Sequence, residues 1–273
     1  MYVLLGVVVL LIIAYIFIPK AILHFAEKNL VFQPPPPQNE QTQYGEGNMQ
    51  EYVIDFRNNG QKYSIHAILA PATVRRCNET VLYCHGNASD LNGQQHIVDF
   101  YHEKGIDVLL WDYNGYGKSS GTPSYELVKK GALAVFDWFK KNFYSENLIV
   151  HGMSLGGAPA AYLAAHRPIN GLILESTFNS IASALTKGTR YTFFDEFCND
   201  RCLRKVPSKV PVLIIHSHDD DIISVQNSQK LYKSLMKNKG RSSENSAFIG
   251  VEKGNHFNAK YSADFWPEFD RLF

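Results

Sequence analysis

Five short runs constrain this chain more than any other feature: TVLYCHG, DVLLWDY, NLIVHG, GLILES and PVLIIHS, starting at Thr80, Asp107, Asn147, Gly171 and Pro211. Each is rich in Val, Ile and Leu, and none alternates apolar with polar residues. A strand with one face in water alternates; a strand covered on both faces does not. Helical stretches lie between most of them, at Asn92 to Glu103, Ser124 to Asn142, Leu155 to His166 and Val225 to Lys237. Strand and helix in alternation predict a mostly parallel α/β sheet with helices on both faces. EYVIDF and KYSIHAILA flank Asn58-Asn59-Gly60, a turn sequence that predicts an antiparallel hairpin at the start. A last strand, SAFIGVE, and a helix from about Ser262 close the set.

The N-terminus follows a different rule. Tyr2 to Ile18 carries no charge over seventeen residues, enough helix to reach about 26 Å. A secretory signal would have a basic start and a small-residue cleavage site. No Lys or Arg precedes this run, and Pro19-Lys20 follows it. The expectation is an uncleaved, single-pass transmembrane anchor over residues 1–20. Lys20 and Lys28 on its C-terminal flank favour a cytoplasmic body, but two lysines against one terminal amine leave the side open. Residues 21–47 read as a juxtamembrane segment, amphipathic in its first half, and a linker stiffened by Pro34 to Pro37. The globular domain is expected over 48–273. The 33 residues from Thr177 to Lys209 exceed an ordinary loop and predict a short helical lid insertion over 179–209, with the aromatic stretch Tyr191 to Phe197 inside it.

Charge excludes one class. The formal net charge is +1, with no long block of like charges, so nothing points to nucleic acid. The cysteines, Cys77, Cys84, Cys198 and Cys202, are too few for a disulfide scaffold and lack the spacing of a zinc site. Cys198 and Cys202 could form a local disulfide or stay as thiols.

The chemistry gathers where the runs end. Gly152-Met-Ser154-Leu-Gly156 is a G-x-S-x-G sequence between a buried strand and a helix. A nucleophile on that corner needs strained backbone, and neighbours without side chains let strand and helix close around it. The helix start then aims free amides at the same point. An incidental serine at a small-residue helix start has the same local sequence, so the partners decide. A base is available at His256, in the loop EKGNHFN after the last strand. An acid is available in Asp219-Asp220-Asp221, after PVLIIHS. The order serine, acid, histidine is that of a hydrolase elbow. His85-Gly86-Asn87 ends the first parallel strand, and the Asn87 and Leu155 amides are the natural oxyanion pair.

CHGN, WDYNGYGKSSG, GMSLGG, HSHDDDIIS and GNH occur in order. Together they resemble the α/β-hydrolase superfamily across residues ~50–273, and the anchor followed by KNLVFQP resembles its membrane-anchored, α/β-hydrolase-domain-containing branch. The resemblance implies the α/β-hydrolase fold and a Ser154–His256–Asp220 triad. The family pattern G-x-x-D-x-[IV]-[IV]-P aligns with Ser217 to Ser224 and selects Asp220. Ser217 replaces its Gly and Ser224 its Pro, which keeps Asp219 and Asp221 in view, with Glu175 a weaker substitute. No metal or organic cofactor is called for. The implied activity is cleavage of acyl esters or thioesters, on lipid or acylated substrates. Tyr113, Tyr116, Phe193 and Phe194 are the expected substrate-binding residues. Two other readings remain: a depalmitoylase-type thioesterase, and a membrane-anchored binding protein that keeps the fold without the activity. A peptidase with a large capping domain has no room in 273 residues.

Overall fold

The computed structural model describes residues 31–36, 48–75, 78–185 and 197–273. Its centre is a sheet of eight strands: β1 Gln50–Asn58, β2 Gln61–Ala70, β3 Glu79–Cys84, β4 Asp107–Trp111, β5 Asn147–Met153, β6 Gly171–Glu175, β7 Val212–Ser217 and β8 Ser246–Val251. The spatial order is β1-β2-β4-β3-β5-β6-β7-β8. β1 and β2 are the expected hairpin, and β2 also runs antiparallel to β4; the remaining pairs are parallel. Asn59 and Gly60 turn the hairpin with φ of 49° and 81°, the pair of positive values a two-residue turn requires.

The missing alternation has its cause in the layers. Successive residues of a strand face opposite sides, and here both sides are covered. Leu82, Val150, Leu172 and Ile214 pack with Val128, Ala132 and Val135 of α2 (Tyr125–Asn142) and Leu163 of α3 (Gly157–His166). Val81, Ile149, Ile173 and Leu213 face the other way, in one cluster with Ile97 and Val98 of α1 (Gln95–His102) and with Phe265 and Phe269 of the last helix (Phe265–Leu272). The Ser124 hydroxyl accepts from Leu127 N at 3.2 Å to start α2, and Lys140 and Lys141 sit in its last turn, both favourable for the helix dipole.

Boundaries shift where local chemistry competes. The helix expected from Asn92 begins as a 3-10 turn, Leu91–Gly93, capped by the Asp90 side chain, and becomes α-helical at Gln95. The last helix begins at Phe265. The insertion carries two short helices, α4 (Ile181–Leu185) and α5 (Asn199–Leu203), joined by a bridge between Ser180 and Cys198. Cys202 is a free thiol, so no bond links it to Cys198. Phe193 and Phe194 lie outside the described residues. So does the proposed anchor, Tyr2 to Ile18; among the described residues no helix is long and apolar enough to cross a membrane. Part of the segment expected to be juxtamembrane is core instead. Val31 and Phe32 are 4% and 2% exposed, so these residues pack into the domain ahead of the boundary expected near residue 48.

Candidate active site

Parallel strands place their carboxyl ends along one edge of the sheet. Five such ends meet here. Ser154 follows β5 at once and holds φ at 53°, a left-handed value that costs a non-glycine residue about 1 kcal/mol or more. Space explains the glycines around it. A Cβ on Gly152 would run into the Gly156 carbonyl, one on Gly156 into the carbonyls of Cys84 and His85, and one on Gly157 into the Thr177 side chain. Thr177, just after β6, donates its hydroxyl to the Ser154 carbonyl at 2.7 Å and steadies the corner from the next strand.

The three expected side chains come together. His256 Nε2 lies 2.9 Å from Ser154 Oγ. His256 Nδ1 lies 2.7 Å from Asp220 Oδ2. Asp219 and Asp221 are exposed, whereas Asp220 is buried, so the middle residue of the acidic run is the one that faces the histidine. Its other oxygen, Oδ1, accepts from the backbone N–H groups of Ile222 and Ile223 at 2.9 and 2.8 Å. His216, at the end of β7, adds a further contact, with Nε2 3.0 Å from Asp220 Oδ2. Its Nδ1 meets the Ser228 hydroxyl at 2.7 Å. Burial pushes the Asp220 carboxyl up, but the hydrogen bonds from His216, His256 and the Ile223 amide outweigh it and hold the group well below the usual carboxylate range. It stays ionised beside the imidazole at neutral pH.

The loop after β3 closes against the same corner. A Cβ on Gly86 would stand 3.6 Å from Ser154 Cβ. His85 stacks on Tyr113 with ring centroids 4.2 Å apart, and the Tyr113 hydroxyl donates to the His85 carbonyl. The Tyr116 hydroxyl donates to Asn87 Oδ1 at 2.7 Å. Both tyrosine rings are fully buried. Each therefore stands behind the His85–Asn87 loop and supports it from below. Asn87 is also the first residue of a glycosylation triplet, but both atoms of its amide are engaged within the fold.

Glu175 is not near His256 Nδ1. It forms a separate buried group with His151 and Lys260. Its carboxylate oxygens lie 3.2 Å from His151 Nε2 and 3.5 Å from Lys260 Nζ, and Oε1 accepts from Lys260 N at 3.1 Å. Lys260 Nζ also donates to the Phe257 carbonyl at 3.0 Å. This group ties the loop that carries His256 to the end of β6. Sequence reasoning missed it, as it missed the supporting role of His216. The only available signal was a Glu and a Lys in otherwise apolar or loop-end positions.

A family model, Hydrolase_4, described as "Serine aminopeptidase, S33", matches residues 75–200. The uncharacterized protein YfhR of Salmonella typhi is 30% identical over an alignment of 197 residues, and the match covers 66% of this chain and 65% of YfhR. The lysophosphatidylserine lipase ABHD12 of Macaca fascicularis is 33% identical over 178 residues, 56% of this chain and 44% of that protein. The chain thus spans less than two thirds of the length of these relatives. Among solved structures, the Pyrococcus furiosus esterase Pf2001 superposes with a TM-score of 0.66 at 15% identity, covering 88% of this chain and 95% of the esterase. Est1E of Butyrivibrio proteoclasticus, solved with ferulic acid, gives 0.61 at 19% identity, with 80% and 97% covered.

Proposed function

We propose that this chain, which belongs to the α/β-hydrolase superfamily, hydrolyses acyl esters or thioesters with Ser154 as nucleophile, His256 as base and Asp220 as the orienting acid. The observation that carries the reading is the unbroken series Asp220–His256–Ser154, at 2.7 and 2.9 Å. In the first half-reaction Ser154 Oγ bonds to the acyl carbon while His256 Nε2 takes its proton. With Asp220 accepting from Nδ1–H, the ring presents an unprotonated Nε2 to the serine and its charge is stabilised once formed. The carbonyl oxygen, now negative, rests on the Leu155 and Asn87 N–H groups. His256 returns the proton to the leaving alcohol or thiol as the acyl–oxygen or acyl–sulfur bond breaks. Water then attacks the acyl-enzyme by the same route and restores Ser154. Among the described residues no group of three or more His, Cys, Asp or Glu could hold a metal ion, and no step above calls for one.

A substrate with an acyl chain is favoured by the rim. Ile222 and Phe257 are neighbours in sequence of Asp220 and His256 chemistry, two and one residues away, and are 58% and 60% exposed. The proposed anchor, Tyr2 to Ile18, supports the same substrate class. Only residues 19–30 separate it from the docked Val31, about 40 Å of chain at full extension. A lipid ester is therefore the first candidate, and a lipase of lysophosphatidylserine stands among the relatives.

The test is labelling by a fluorophosphonate probe of the wild type, Ser154→Ala and His256→Ala, followed by turnover of oxygen and sulfur esters with matched acyl chains. The expected result is labelling and turnover by the wild type alone. A Ser154→Ala protein that hydrolyses these esters at the wild-type rate overturns the assignment. Preference between the two ester series then separates lipid ester cleavage from thioester cleavage.

A further inference from the structure

The Val31–Gln33 segment is bound by the loop that faces the nucleophile. Asn87 Nδ2 donates to the Val31 carbonyl at 2.7 Å, and Gln33 N donates to Asn87 Oδ1 at 2.9 Å. One side-chain amide thus reads both the acceptor and the donor that flank Phe32, as a neighbouring strand would. The Tyr116 hydroxyl completes the clamp: it donates to Asn87 Oδ1 and lies 3.1 Å from Gln33 N. Phe32 is the wedge beneath. Its ring sits 5.5 Å from that of Tyr125, at the start of α2, and 6.1 Å from that of Phe197, in the insertion. Tyr125 and Phe197 meet each other at 4.6 Å. The two Asn87 bonds join residues 54 and 56 positions apart in the chain.

Asn87 holds the geometry that matters. An amide held through both its nitrogen and its oxygen restricts its own side-chain torsions, and with them the position of its Cα. The next residue, Ala88, is held at a φ of 53°, a conformation that persists only where surrounding contacts over-determine it. We propose that Val31–Gln33 is a positioning strap of the active site: by closing on the Asn87 side chain and wedging Phe32 beneath the insertion, it holds the Asn87 peptide where its N–H meets the oxyanion. The inference rests on the hydrolase reading above. It makes Asn87 two things at once, an oxyanion donor through its backbone and the anchor of the strap through its side chain. It also makes turnover depend on the segment that links the apolar N-terminal stretch to the domain.

The test uses the full-length protein and four variants: Phe32→Ala, Phe32→Leu, Tyr116→Phe and Asn87→Ala. None removes a backbone donor. Loss of a whole oxyanion donor lowers kcat by about 10²–10³-fold, so displacing one without removing it is expected to lower kcat by about 10–100-fold in Phe32→Ala and Asn87→Ala. KM for a short-chain ester is expected to change less than threefold. Phe32→Leu should recover most of the rate. Affinity for a trifluoromethyl ketone, which forms a tetrahedral oxyanion on Ser154, should fall in parallel with kcat/KM, a readout that looser packing alone does not move. The Phe32→Ala/Asn87→Ala pair should lose no more than the worse single variant, because both open one clamp. Tyr116→Phe keeps the packing and removes one hydroxyl, so it reports even if Phe32→Ala unfolds. Variants that keep kcat within twofold, or that lose kcat with unchanged ketone affinity, overturn the strap while an active wild type leaves the hydrolase reading standing. A wild type that neither labels nor turns over overturns both.

Discussion

Glu175 and Lys260 form a buried ion pair whose removal should be measurable in stability. Both side chains are essentially inaccessible, at 0% and 1% exposure, and Nζ lies 3.5 Å from Oε1. At an effective dielectric constant of ~20, that separation gives about 5 kcal/mol of attraction. The depressed pKa of the acid points the same way. Burial pushes the Glu175 carboxyl up, but the Lys260 ammonium and His151 pull it down further, from 4.5 to about 2. A fall of that size corresponds to roughly 3 kcal/mol for all the surroundings of the carboxyl together, His151 included. Both figures match the ~3–5 kcal/mol lost when one partner of a buried pair is removed. Because the folded-state pKa is depressed, the contribution is complete above pH 4.5 and fades as pH falls towards 2. Glu175→Gln is therefore expected to lose about 3 kcal/mol at pH 7 in urea unfolding, and distinctly less at pH 3. Lys260→Met should lose a similar amount, and the double variant much less than the sum, since neither charge is left stranded. A loss below about 1 kcal/mol at pH 7, or an equal loss at both pH values, refutes the reasoning.

Asp220→Asn should fold, since the amide oxygen can still accept from Ile222 and Ile223, yet lower kcat by about 10³–10⁴-fold; a loss under tenfold in ester turnover would assign the orienting role to Asp219 or Asp221. Gly156→Ala places a methyl against two carbonyls of the β3 end and should destabilise by about 2 kcal/mol or more. Gly60→Ala meets no atom within 4 Å and should lose only about 1 kcal/mol from its positive φ; equal urea midpoints for the two would contradict the close packing at the elbow. Deleting residues 1–19 should release the protein from the membrane pellet with its thermal transition intact, and retention in high salt would assign anchoring to residues 21–30 as well.

What could be read from the sequence, and what could not, follows the range of each interaction. The sheet was legible because burial on both faces leaves a local mark, an apolar run without alternation, in every central strand. Ser154 was legible because a nucleophile at an elbow needs small neighbours within a few residues, and Gly152, Gly156 and Gly157 supply them. His256 and the acidic run 219–221 followed from chain order, and the choice of Asp220 within that run came from the family pattern alone. The supports were not legible. Asn87 was read for its backbone amide, and nothing near it in sequence announces that its side chain holds a segment 54 residues away. Phe32 was assigned to an amphipathic membrane-surface stretch, because periodicity records that a face is apolar and not whether lipid or protein covers it. Tyr113 and Tyr116 were expected at the substrate and instead stand behind the loop that bears Asn87.

Each group proposed to act at the strand ends leans on a second residue. Ser154 is steadied by Thr177 from the next strand end, Asp220 by His216 from within its own strand, the His256 loop by Glu175 through Lys260, and Asn87 by the strap. These supports differ in reach. The first three join residues already adjacent at one sheet edge, so they form whenever the sheet forms. The strap alone belongs to a segment outside the α/β layers, attached through residues 37–47 to the hairpin that begins the domain. Its docking is held by three hydrogen bonds, to Asn87 and Tyr116, and by the buried Val31 and Phe32 side chains, together worth about 5–10 kcal/mol before the entropy of ordering the segment, about 1–2 kcal/mol per residue, is deducted. That is small enough for the strap to leave without unfolding the sheet. The oxyanion side of the site can thus be lost while the serine, histidine and aspartate stay in place, and a protein with an intact Ser154–His256–Asp220 series could still be slow. Activity and the integrity of the three side chains are therefore separable quantities in this fold, and the strap is where they separate.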